Sequence, residues 1–158
     1  MPPAAYCSLS SRLTVVLPHG PKVLSANASV PKTAKGLQVA ARKKQKAKRT
    51  ARTLAWALTL QCLGGRKFRP NRYLIRWFYK YGEPPDDDNA VARCKAYLDG
   101  AASAMGINDV VLRLRGVERV KDMKRWKELE LVFWYEEGDG TVFHEKPARN
   151  CEEKEKEI

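Results

Sequence analysis

The spacing of apolar positions divides this chain into segments of two periods. Residues 13–17 (LTVVL) form a β-branched run closed by Pro18 and predict a short strand. Residues 18–31, rich in Pro, Gly, Ser and Asn, read as a loop. From about Thr33 the period becomes helical: Leu37, Ala40, Ala47, Ala51, Leu54 and Leu58 fall near one face, and Arg42, Lys43, Lys46, Arg49 and Thr53 lie largely away from it. Gly64 and Gly65 close this segment. The expectation is one helix with an apolar seam and a densely basic outer face. Residues 69–81 (RPNRYLIRWFYKY) are aromatic and β-branched and predict a second strand, broken by Gly82-Glu83-Pro84-Pro85. A second helix begins at Asp86, Asp87 and Asp88. It carries Val91, Cys94, Leu98, Ala101 and Met105 at helical spacing and stops at Gly106. Strands follow over residues 110–120 and 128–135, with a turn at 122–126. The order β-α-β-α-β-β predicts an α/β fold, a small mixed sheet with two helices. Residues 1–11 read as a loose leader, 12–136 as the folded domain and 137–158 as a polar C-terminal tail.

Composition adds a partner to this outline. The chain has 158 residues and a net charge of +12, unevenly spread. No Asp or Glu precedes Glu83: residues 1–82 carry 17 Lys or Arg, and all 18 acids lie beyond with 13 basic residues. Such asymmetry points to a polyanion, with nucleic acid first. The candidate DNA contacts are Lys43, Lys44, Lys46, Lys48, Arg49 and Arg52 on the first helix, and Arg66, Lys67, Arg69 and Arg72 before and at the second strand. Cys7, Cys62, Cys94 and Cys151 are scattered, with no zinc-type spacing, which suits a reducing cytoplasm. No apolar stretch is long enough to cross a bilayer, and no secretion signal is evident. His19 and His144 fall in expected loops, and neither is a candidate general base.

The acidic run supplies the chemistry. One acid at a helix start is an ordinary cap. Three adjacent acids repel one another, and a divalent cation relieves that repulsion; Mg²⁺ favours carboxylate oxygens and water, and Mn²⁺ can substitute. Asp86 and Asp88 are two apart, so an extended segment would turn both to one side. Asp109, expected to begin the next strand, would return to the same end of the sheet. Asp88, Lys95 and Asp99 share one helical stripe, so Lys95 lies on the carboxylate side, where it could stabilise charge on an attacked phosphate. The competing reading is a solvated, capped helix start with an i,i+4 surface pair between Lys95 and Asp99.

These residues resemble the RusA-like Holliday junction resolvases. Asp86-Asp87-Asp88-Asn89 is similar to that family's Asp-x-Asp-Asn start, Lys95-Ala96-Tyr97-Leu98-Asp99 to its Lys-Ala-x-x-Asp step, and Gly106-Ile107-Asn108-Asp109 to its acidic return. Leu24-Ser25-Ala26-Asn27 looks like its Ser-x-Asn turn. The likeness spans about residues 13–136. It implies a homodimeric, Mg²⁺-dependent endonuclease that nicks opposed strands of branched DNA in recombination and repair, in the cytoplasm of a bacterium or a phage-infected host. It also implies Asp86, Asp88 and Asp109 as metal ligands, Lys95 as the catalytic lysine and Asn27 as a DNA contact. Two departures stand out. Lys95 sits three residues later than in shorter members, where Ala92 stands here, and Asn108 replaces the first of two return acids. The alternatives are a non-catalytic nucleic-acid-binding protein and a flap- or fork-selective nuclease.

Overall fold

Alternation along the strands and a switch to small residues along the helices build one two-layer unit. The computed structural model describes residues 12–137. The expectations for the leader, for His144, Cys7 and Cys151, and for the tail after residue 137 lie outside the described residues.

The four strands are β1 (Arg12–Pro18), β2 (Arg72–Tyr79), β3 (Arg113–Lys121) and β4 (Glu128–Trp134), and the helices are α1 (Ala34–Leu63) and α2 (Asp87–Met105). The expected order therefore holds. The sheet runs β1-β4-β2-β3. β4 is antiparallel to both β1 and β2, and β2 and β3 are parallel, joined through α2. Cross-strand rows assemble the core: Leu13–Phe133–Tyr73, Val15–Leu131–Ile75 and Leu17–Leu129–Trp77 lie in register. All nine side chains are buried, together with Ala51, Ala55 and Cys62 of α1 and Ala90, Cys94, Tyr97, Leu98 and Ala101 of α2. The opposite sheet face is closed by charge: Arg76 bonds Glu118 and Glu130 at 2.8 Å each, and Arg125 bonds Glu130 at 2.7 Å while lying 4.0 Å over the Phe78 ring. Trp77 and Phe78 are buried, whereas Trp56 and Trp126 remain partly exposed.

Caps define both helices. Thr33 accepts the Gly36 amide at 3.1 Å, and Gly64 ends α1 in the left-handed conformation at φ 54°. The seam expected along the whole of α1 packs over only part of it, because no α1 side chain before Ala51 is buried and Leu37 is 46% exposed. One expectation needs correction. Asp109 does not begin a strand; it opens a single 3-10 turn (Asp109–Val111) ahead of β3. Nor does it return to the end of the sheet that carries Asp86. β3 starts beside the start of β2 (Arg113 opposite Arg72), whereas Asp86 to Asp88 follow the end of β2. A parallel β-α-β crossover imposes this, because the connecting helix carries the chain back along the strand.

His19, in the loop after β1, has a structural role. Its ring stacks on Trp77 at 4.2 Å, and Nε2–H donates to the Phe78 carbonyl at 2.8 Å. Burial first, and then the charge of Arg93, whose guanidinium lies 4.7 Å from the Trp77 ring, push its pKa below the ordinary value of 6.5. Above pH 6.5 the ring is neutral folded and unfolded, and its contribution is complete. Below 6.5 only the unfolded chain takes up the proton, so stability falls until the folded pKa is reached. Thermal melts from pH 7.5 to 5 should show this fall, and His19→Gln should flatten it. An equal slope in that variant would remove His19 as its source.

Candidate active site

The start of α2 is held from two sides. Asp86 is its cap, and the carboxylate accepts the Asn89 amide at 2.9 Å. Asp87 forms an ion pair with Arg119 of β3. Asn89 reaches the other way: its Oδ1 accepts from the Ser25 hydroxyl and, at 3.3 Å, from the Asn27 amide. The turn after β1 is thereby joined to the first turn of α2. Arg93, one turn further, donates to the Gly20 carbonyl at 2.7 Å. This loop passes so close to α2 that a Cβ at Gly20 would sit 2.4 Å from the Arg93 carbonyl oxygen, which explains a glycine there. Asp88 is exposed, and among the described residues no hydrogen bond or ion pair engages it.

Asp88 lies in the first helical turn, not in the extended segment expected for it, so the two-residue alternation with Asp86 does not apply. The remaining acids gather further along. Lys95 forms ion pairs with Asp109 and, at 3.1 Å, with Asp99. Its bond to Asp109 raises the Lys95 pKa and lowers that of Asp109, so both groups are charged at neutral pH. Lys95→Met is expected to bring the Asp109 carboxyl back toward the ordinary ~3.9, read from its ¹³C shift during titration. An unmoved titration would show that the pair does not form in solution.

The carboxylates therefore form two groups, at Asp86 to Asp88 and around Lys95, seven residues or ~10 Å apart along the helix axis. Among the described residues no three His, Cys, Asp or Glu side chains come together as a metal cage. Mg²⁺, however, is commonly held by one or two carboxylates together with water and substrate phosphates. Asp88, which takes no partner among the described residues, and the Asp86 oxygen left free by the cap bond would be the carboxylates of such a site, completed by substrate, whereas Asp109 is held by Lys95.

A cleft of about 470 Å³ runs between α1 and α2, with Lys48, Arg49 and Arg52 facing Ala92, Lys95 and Asp99. Residues 88, 92, 95 and 99 are spaced 4-3-4, so Asp88 continues the cleft-lining stripe of α2 by one turn. Of the expected DNA contacts, Lys43, Lys44, Lys46, Lys48, Arg49, Arg52, Arg66, Lys67 and Arg69 are exposed. Arg72 is instead buried, with Nε 2.7 Å from Glu136, and lies outside that basic surface. Arg119 and the bridging role of Asn89 were not anticipated. Arg119 meets Asp87 only through the β2–β3 pairing, which no local pattern announces. The Cys94 thiol, pushed up to about 12 by burial, is no nucleophile at neutral pH.

No protein-family model matches the chain, and no curated protein matches it. Among the described residues no helix is long and apolar enough to cross a membrane.

Proposed function

We propose that the chain is a divalent-metal-dependent, structure-selective DNA endonuclease of the RusA-like type, acting as a homodimer on four-way junctions. The observation that carries this reading is the contact of Ser25 and Asn27 with Asn89. Two motif pieces more than sixty residues apart in sequence meet beside Asp86 and Asp88. A structural cap alone would need Asp86 but neither the exposed Asp88 nor a cationic cleft opening beside it.

Mg²⁺ at Asp86 and Asp88 would supply Lewis acidity at the phosphate. The other roles belong to the chain. Asp86 and Asp88 lend negative charge at the cleft end; Asn89 holds the Ser25–Asn27 turn against the helix; Lys48, Arg49 and Arg52 attract and orient the backbone. Lys95, kept protonated by Asp99 and Asp109, offers charge to a phosphoryl oxygen as negative charge builds there. The test is a panel of labelled four-way junction, flap, fork and linear duplex with and without Mg²⁺ or Mn²⁺. Paired nicks in the junction alone, only with metal, are expected. Preference for a flap or fork would reassign the substrate, and no nicking with any divalent ion would leave a nucleic-acid-binding protein.

A further inference from the structure

α1 changes character at Ala51. Its buried stripe is Ala51, Ala55, Thr59 and Cys62. Followed toward the helix start in steps of seven and eleven residues, that stripe falls on Lys48 and Lys44, within about 20°. Where the packed half buries alanines, the exposed half presents these ammonium groups on the same stripe as Leu37, which is 46% exposed. Lys35, Arg42, Lys46 and Arg49 form a second row within roughly 60° of one another, about 150° from the Lys44–Lys48 row, with Lys43 between the two rows. The rows repel internally at Arg42/Lys46, Lys44/Lys48 and Lys48/Arg52, each an i,i+4 pair, and α1 itself carries no acid to offset them.

Two opposed cationic rows on one rod fit two anionic walls. A helix is about 10–12 Å across, and the B-DNA major groove is about 12 Å wide with phosphates along both edges. We propose that the exposed half of α1 enters the major groove of a duplex DNA arm, one row against each phosphate wall. Lys48, Arg49 and Arg52, which also line the α1–α2 cleft, lead the departing strand toward Lys95 and Asp88. A helix lying on the outside of nucleic acid would use one row and leave the other in water. The inference rests on the nucleic-acid part of the proposed function and is independent of cutting.

The test is made in EDTA with the full chain and a labelled four-way junction. Guanine N7 atoms lie in the major groove, so dimethyl sulfate should find a protected run of about seven base pairs on an arm, the span of ~24 Å of helix. Lys44→Gln combined with Lys48→Gln should erase that protection, with circular dichroism unchanged. It should also make the slope of log affinity against log salt shallower by about 2, as two phosphate contacts are lost. Lys124→Gln, in the β3–β4 turn, should leave both readouts as they are. Duplex RNA of the same sequence should bind more weakly, because the A-form major groove is too narrow to enter. Reactive N7 atoms throughout, an unchanged slope in the double variant, or equal binding of duplex RNA would each overturn the groove. Protection without nicking under any divalent ion would sink the nuclease reading and leave this one standing; nicking with open N7 atoms would do the reverse.

Discussion

Asp88→Asn is expected to reduce metal-dependent nicking by about three orders of magnitude while leaving junction binding intact or slightly tighter. The loss follows from position. One Asp86 oxygen already accepts the Asn89 amide as the cap of α2, and Asp109 pairs with Lys95. Asp88 is the carboxylate at this site with no protein partner among the described residues, at the end of the stripe that lines the cleft. Removing one pre-placed electrostatic group from a reacting site costs ~10²–10³ in rate, and loss of metal adds to it. Binding should not suffer, since a negative charge is removed from a surface that meets phosphates. Stability should change little: the amide gives up an interaction of about 0.3–1 kcal/mol with the N-terminus of α2 but relieves repulsion from Asp86 and Asp87. The measurement pairs single-turnover nicking in Mg²⁺ with anisotropy in EDTA. Normal cutting by the variant would remove Asp88 from the site; lost binding would point to a folding effect.

The largest stability effect is expected at Gly100. Replacing a mid-helix glycine by alanine ordinarily gains about 1 kcal/mol. Here α1 crosses α2 so closely that a Cβ at Gly100 would stand 2.2 Å from the Arg52 carbonyl oxygen and 3.1 Å from the Ala55 Cβ. Both obstacles are helix backbone or its first carbon, so neither can turn aside, and the helices must separate. Overpacking of this kind costs about 1–3 kcal/mol and sometimes more, which exceeds the propensity gain. Taking the upper end of that range for so short an approach and subtracting the gain, Gly100→Ala should lose about 2 kcal/mol net, a fall of roughly 4–8 °C in Tm. The separation would also widen the cleft between Arg52 and Lys95, so DNA affinity should weaken along with stability. Gly116→Ala, on β3 with open space around it, is the neutral control. A Tm that holds or rises in Gly100→Ala would mean that the helices do not touch there.

The elements themselves were legible. The β-branched run at 13–17, the onset of helical period near Thr33 and at Asp86 and the stops at Gly64 and Gly106 each act within a few residues, and the elements occur where those signals place them. The extent of packing was less legible. The α1 period continues through Leu37 and Ala40, yet burial begins at Ala51, because a helical period says which face is apolar and not whether anything lies opposite it. Arg72 read as one more cation in a basic stretch, and its burial against Glu136 depended on a residue sixty-four positions away.

The sequence by itself determined the local and the additive properties: the element order, the helix ends, the concentration of positive charge before Glu83 and the three acids at one helix start. These follow from short-range sterics, capping and composition. The tertiary structure alone decided which acids stand together. The β-α-β crossover carries Asp109 away from Asp86 and Asp88 and gives it to Lys95, while a turn more than sixty residues upstream closes on Asn89. It also decided that Asp88, one turn before Ala92 on the helix face that lines the cationic cleft, takes no partner among the described residues. Such pairings are set by strand order and helix crossing, and β4 entering between β1 and β2 is a choice made by the whole core rather than by any segment.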